Sequence, residues 1–211
     1  MLQEAFQQLL NQTIGFLTIM NPIAGAAMMI TLSGNTPTTQ EIEHTARKTT
    51  LTVLVACLVT IGLGELVFNF FGINTYSIEA IGGLIILRMA INMIEGKSTP
   101  NHSPAESKEA IEKTDISVIP LGIPIFFGPG AIATTILFKS KSTSLLQIAV
   151  LLLAVLISLG VVYLALRNAK WMSLKLGVTG MKIATRVLGL ICGAIAVQFI
   201  LTGVHALWQK L

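Results

Sequence analysis

Two short proline motifs interrupt long apolar stretches of the chain and are its most distinctive chemical features. The first is Asn21-Pro22, and the second is Gly128-Pro129-Gly130. Proline has no N–H for the helix ladder and clashes with the preceding turn, so it breaks or kinks a helix from within. It is nevertheless favoured at the first position of a new helix, and asparagine and glycine are accepted just before that position. Each motif therefore predicts that a new helix begins there.

A helix that begins inside a membrane presents free N–H groups and about half a positive charge. Two such ends that face each other would bind an anion, such as the carboxylate of a small zwitterion, without any charged side chain. Pro22 and Pro129 each lie roughly 15 to 18 Å into an apolar stretch, near the middle of a core about 30 Å thick. The alternative is that both prolines only kink packed helices.

Small residues follow both breaks. Gly25 follows the first, and Thr134 and Thr135 follow the second. Small residues either permit close helix packing or leave room for a ligand, and the sequence does not separate these readings. The threonine hydroxyls could bind an ammonium group or bond back to their own helix.

Four more polar side chains fall inside apolar stretches. Arg88 is costly in lipid, so it is expected to contact either substrate or a structural partner. Glu65 is the candidate for proton or ion coupling. Asn92 and Gln198 occupy matching positions in the two halves of the chain, which favours a role near the midplane. The remaining charged residues near the ends of apolar stretches are expected to anchor at the interface: Glu79, Glu95, Arg186 and His205.

The composition indicates a membrane protein. Of 211 residues, 53% are hydrophobic and only 11% are charged, whereas soluble proteins carry roughly 25% charged residues. The net charge of +4 does not indicate nucleic-acid binding, because the basic residues cluster between apolar stretches. No catalytic, metal-binding, cofactor-binding or nucleotide-binding motif is present, so we expect neither an enzyme nor an ATP-driven pump.

Six stretches are apolar and long enough to span a bilayer, which takes about 20 residues each. They cover residues 12–33, 46–71, 76–96, 117–138, 145–166 and 183–208. The polar residues 97–115 form a predicted cytoplasmic linker between residues 1–96 and 116–211. The loops after the first, third and fifth spans carry ten Lys and Arg residues, against three on the other side. The positive-inside rule therefore predicts that both termini lie outside.

The two halves of the chain resemble each other. Pro129 follows Pro22 by 107 residues, and two matched positions in the third and sixth spans are 106 residues apart. Each half has an odd number of spans, so the halves are predicted to be inverted repeats, with the first and fourth spans broken. Inverted repeats are typical of secondary transporters, which bind solutes at the midplane.

The chain resembles the MarC family of prokaryotic membrane proteins, also called the neutral amino acid transporter family. The resemblance covers nearly the whole chain, and its most specific part is the segment 118–124 that leads to 128–132. Further matches are Asn21-Pro22 and the segments 70–73, 82–84, 179–180, 185–186 and 189–190. The resemblance implies six spans, a plasma-membrane location and transport of small neutral amino acids such as glycine or alanine, by export or proton-linked movement. Arg88 departs from the apolar pattern of that family.

The resulting prediction is an all-α polytopic protein that moves a small zwitterionic solute across a lipid bilayer. Its predicted site comprises the two breaks, Gly25, Thr134, Asn92, Gln198 and Arg88. The alternatives are an exporter of other metabolites or drugs, and a membrane scaffold or sensor that transports nothing. The oligomeric state stays open, a homo-oligomer included.

Overall fold

The structure is a computed structural model that describes residues 2–33, 37–96 and 115–209. All regular secondary structure in these ranges is helical. The helices are α1 (Leu2–Met20), α2 (Pro22–Leu32), α3 (Thr39–Phe70), α4 (Thr75–Glu95), α5 (Ser117–Phe126), α6 (Pro129–Ser140), α7 (Leu145–Arg167) and α8 (Ala169–Trp208). Most of the predicted linker, residues 97–114, lies outside the described ranges.

The predicted all-α polytopic membrane fold is confirmed. Five stretches of the described residues are long and apolar enough to cross a membrane: α1 together with α2, and each of α3, α4, α7 and α8. The pair α5 and α6, which bends by 61°, makes a sixth if it crosses as one unit.

Three helices begin before the predicted apolar stretch. The first begins at Leu2 instead of residue 12, α3 at Thr39 instead of residue 46, and the last at Ala169 instead of residue 183. The added part of α8 is rich in lysine, which conceals it from a search for apolar residues. Gly177 interrupts α8 with a φ of 62°, a conformation that glycine adopts without strain.

Helix α5 is irregular. It contains Pro120 and Pro124, each of which follows a cis peptide bond, and its backbone is extended at Ile119 and Ile123. Its hydrogen bonds include an i to i−5 pair from the Phe127 N–H, the wide spacing found in π-helical turns. The second half of the chain therefore enters its break through a distorted segment.

The start of α5 is fixed to α3. Lys48 Nζ lies 2.5 Å from the Asp115 carboxylate, and Thr49 Oγ1 donates to the Ser117 carbonyl at 2.9 Å. The Lys48 ammonium and hydrogen bonds from Ser117 lower the pKa of Asp115 to about 2. This contribution to stability is present above the ordinary carboxyl pKa and is lost only as the pH falls through about 2, so the anchor persists at physiological pH.

The broken helices lie between two flanking pairs. Helices α4 and α8 pack along each other on one flank, where α8 contacts α2 and α4 contacts α6. Helices α3 and α7 form the other flank, where α7 contacts α1 and α3 contacts α5. The first break is buried at Asn21 and Pro22, whereas at the second break Gly128 is half-buried and Pro129 is exposed.

Glycines let α4 and α8 cross closely. A Cβ atom built on Gly83 would lie 2.8 Å from the Ala196 carbonyl oxygen, and one built on Gly189 would lie 2.9 Å from Met93 Cβ and 3.2 Å from the Ala90 carbonyl oxygen. Carbonyl oxygens and Cβ atoms of the facing helix move only with its backbone. The contact therefore requires glycine on each side, as in other close-packed membrane helices.

Candidate functional site at the two helix breaks

The first break is built by Asn21. Its backbone is left-handed, with a φ of 45° and a ψ of 73°, a region that asparagine tolerates better than most residues. Its side-chain Oδ1 accepts a hydrogen bond from the Ala24 N–H at 3.1 Å, and Pro22 occupies the first turn of α2. The predicted helix start with an asparagine cap is confirmed.

The second break is built by Gly128 in an extended conformation, followed by Pro129 in the first turn of α6. A Cβ atom on Gly128 would lie 2.6 Å from the Pro124 carbonyl oxygen, so the bend requires glycine there. In contrast to α2, no side chain of the described residues caps α6. The N–H groups of its first turn therefore lack the side-chain acceptor that Asn21 provides in α2.

The two breaks lie side by side. A Cβ atom built on Gly25, just after the first break, would lie 2.0 Å from Cζ of Phe126, just before the second break. A Cβ atom built on Gly130, just after the second break, would lie 3.6 Å from Ile19, just before the first. Each break is therefore preceded by an apolar side chain that lies against the glycine that follows the other break.

The two threonines after the second break behave differently. Thr135 Oγ1 donates to the Ala131 carbonyl at 2.7 Å, within its own helix. Thr134 is fully buried, and its Oγ1 has no hydrogen-bond partner among the described residues. A buried hydroxyl without a partner is costly. A hydrogen bond between the Thr134 hydroxyl and a bound ligand would remove that cost.

The other predicted site residues lie elsewhere on α4 and α8. The Arg88 and Gln198 side chains are exposed, and Asn92 is half-buried. A substrate role for them stays a prediction. The side chain of Glu65, the predicted coupling carboxylate, lies outside the part of the chain that the structure describes.

Glu79, one of the residues predicted to anchor at the interface, is enclosed by protein. Expected at the interface, it is only 2% exposed and its Oε1 lies 2.5 Å from Lys141 Nζ. The pair joins α4 to the end of α6. The sequence places both residues near span ends but does not indicate that α4 and α6 pack together.

Two apolar grooves flank the breaks, and neither occupies the space between them. One, of about 640 Å³, has Pro22 in its wall together with residues of α1, α7 and α8. The other, of about 470 Å³, has Pro129 in its wall together with residues of α3, α4 and α6. Between the breaks, the Phe126 ring covers Gly25.

A family profile described as "MarC family integral membrane protein" matches residues 6–208 of the chain. The chain belongs to the MarC family. Among its relatives, this MarC-family chain is 32% identical to a UPF0056 membrane protein of Methanocaldococcus jannaschii, over 89% of this chain and 91% of the relative. It is 30% identical to the UPF0056 membrane protein YvbG of Bacillus subtilis, over 98% of both chains. No solved structure matches it significantly.

Replacing the cap of the first break tests its geometry. Asn21→Ala loses the hydrogen bond to Ala24 and strains the left-handed backbone, so we expect a loss of about 2 kcal/mol in unfolding free energy. Asn21→Gly keeps the backbone conformation and loses less. Thermal unfolding of the purified protein measures both, with Asn11→Ala on the exposed face of α1 as the control. Equal losses for the alanine and glycine variants would contradict the assigned strain.

Proposed function

We propose that this protein is a secondary transporter of small neutral amino acids such as alanine or glycine, coupled to protons or another ion. In this proposal it lies in a prokaryotic plasma membrane with both termini outside. The observation that carries the proposal is the contact between two broken helices, with Phe126 on Gly25 and Ile19 beside Gly130.

The first turn of α6 is the proposed site for the solute carboxylate. Its N–H groups have no side-chain cap, and a helix N-terminus favours negative charge. Thr134 follows Gly130 by four residues and so shares its face of the helix. Its buried hydroxyl would accept a hydrogen bond from the solute ammonium group. In α2, by contrast, Asn21 already occupies the Ala24 N–H.

The packing of the helices supports an inverted repeat. Helix α1 packs on α7 as α5 packs on α3, and α2 packs on α8 as α6 packs on α4. The same repeat relates the contact of Gly83 with Ala196 to the contact of Gly189 with Ala90. Gly189 follows Gly83, and Ala196 follows Ala90, by 106 residues. Such repeats allow alternating access, in which one unit rocks against the other around a fixed site.

The space beside Gly25, between the two breaks, is closed in the described conformation. Phe126 is 1% exposed, and its ring fills the space above Gly25. Entry of a solute between the breaks, beside Gly25, therefore requires Phe126 to move. This restricts the site to small solutes unless α5 shifts a long way.

Uptake into proteoliposomes tests this function. We expect saturable uptake of labelled alanine or glycine that a pH gradient accelerates, and competition by unlabelled small neutral amino acids. Liposomes that contain a denatured sample of the protein provide the control for leakage. An absence of saturable flux with and without the gradient would count against the proposal.

The two apolar grooves favour a second candidate, an exporter of bulkier apolar compounds. Each groove has one break proline in its wall, so an occupant could move with the break. This alternative predicts that bulky apolar compounds compete for transport and amino acids do not. The competition pattern in the uptake experiment separates the two candidates.

A further inference from the structure

Glu79 is a buried carboxylate that the proposed solute site does not use. It lies in the first turns of α4 and is 2% exposed, whereas its partner Lys141 is half-exposed. The Lys141 ammonium also lies 5.6 Å above the centre of the Phe199 ring. Phe199 packs edge-on against Phe138, which packs edge-on against Phe16. The carboxylate is therefore enclosed beside an aromatic cluster, while the lysine can reach water.

The ion pair connects the movement of α6 to the charge on Glu79. Ala133 and Leu137 of α6 and its C-terminal cap residue Lys141 follow one another at intervals of four and form one stripe. Ala133 packs against Gly82 of α4, since a Cβ atom on that glycine would lie 3.1 Å away. Lys141 binds Glu79 at the far end. If α6 moves away from α4, both contacts must separate.

Separation leaves the two partners in unequal surroundings. Lys141 would remain a hydrated ammonium ion. Glu79 would be a buried carboxylate without a partner, which is unfavourable because a charge held away from water needs a compensating group. Addition of one proton to a Glu79 carboxylate oxygen removes that charge, and the proton leaves when the pair forms again.

The opposite end of the proposed repeat has no such carboxylate. The residue 106 positions after Glu79 is Thr185, on the part of α8 that corresponds to this part of α4. Near Glu79 itself, the other titratable groups on the helices packed against α4 are Lys139 on α6 and the exposed His205 on α8. Neither is a carboxylate, so a proton-dependent step would operate on one side of the molecule.

We propose that Glu79 is the proton-binding residue of this transporter, and that protonation accompanies separation of α6 from α4. The inference rests on the proposed transport function, because α6 also forms the proposed solute site. The proton site at Glu79 is separate from the proposed solute contacts at the first turn of α6 and Thr134. It assigns the coupling to the junction of α4 and α6.

Thiol labelling of the purified protein in nanodiscs tests the proposal without any solute. In a background in which Cys57 and Cys192 are alanine, Leu137→Cys reports on the junction, because Leu137 is 1% exposed. We expect slow maleimide labelling at neutral pH and several-fold greater accessibility on acidification, after correction for the thiol reactivity of a free cysteine peptide. Glu79→Gln should give high accessibility at both pH values. The exchanged pair Glu79→Lys with Lys141→Glu should restore protection at neutral pH.

Glu43→Gln is the matched control, because Glu43 lies 3.7 Å from Arg167 in a pair of exposed side chains, and such pairs contribute little. It should label like the parent. An identical pH response in the Glu79→Gln variant and the parent would overturn the proposal, as would continued high accessibility in the exchanged pair. Failure of amino acid uptake alone, with this labelling pattern intact, would overturn the proposed function and leave the proton site standing.

Discussion

Gly25→Ala is expected to abolish amino acid uptake and to destabilise the protein by about 1–3 kcal/mol or more, the range for overpacking a filled interior. The added Cβ would lie 2.0 Å from Cζ of Phe126 and 2.6 Å from its Cε1. Phe126 is 1% exposed, so its ring cannot move without displacing its neighbours. The substitution therefore separates the two breaks where the solute is proposed to bind.

A double-mutant cycle identifies the cause. In a Phe126→Ala background, Gly25→Ala should cost almost nothing, because the obstructing ring is gone and the two effects are coupled. Gly62→Ala and Gly160→Ala are the controls, since a Cβ atom at either position meets nothing within 4 Å. Thermal unfolding measures the stability terms. Additive losses at Gly25 and Phe126 would contradict the contact between the breaks.

Gly83→Ala and Gly189→Ala are expected to be about equally harmful, with losses of about 1–3 kcal/mol each. The new methyl group at Gly83 meets the Ala196 carbonyl oxygen at 2.8 Å, and the one at Gly189 meets Met93 Cβ at 2.9 Å and the Ala90 carbonyl oxygen at 3.2 Å. A backbone atom cannot swing aside as a long side chain can. The two losses in unfolding free energy should be similar because the proposed inverted repeat relates the surroundings of Gly83 to those of Gly189.

The yield of folded protein and its thermal unfolding provide the measurement for this pair. The exposed glycines of α3 and α7 again serve as controls, and there alanine should be neutral or stabilising, since glycine inside a helix costs about 1 kcal/mol. A large loss at one crossing glycine and tolerance at the other would speak against the repeat. A tolerated change at both would speak against the close crossing itself.

The helix breaks could be predicted from the sequence because their causes are local. Proline at positions 22 and 129 removes a donor wherever the chain is placed, and Asn21 forms its cap with a residue three positions away. Apolar length likewise predicted the spans. These features depend on neighbours along the chain and require no knowledge of which helices pack together.

The features that the sequence did not reveal depend on contacts between distant segments. Phe126 reads as one apolar residue among many until α5 is placed on Gly25. Glu79 and Lys141 are 62 positions apart, and each alone resembles a residue at a membrane interface. Thr134 and Thr135 are alike in sequence, and only the described hydrogen bonds distinguish the paired hydroxyl from the unpaired one.

Equilibrium binding of labelled alanine to the purified protein tests the central claim most directly, with wild type, Gly25→Ala and Gly62→Ala compared side by side. The proposed site predicts saturable binding of one alanine per chain to wild type and Gly62→Ala, and none to folded Gly25→Ala. Glycine should compete, and bulky apolar compounds should not. Equal binding by Gly25→Ala and wild type would place the solute away from the breaks, and an absence of binding to wild type would contradict the proposed substrate.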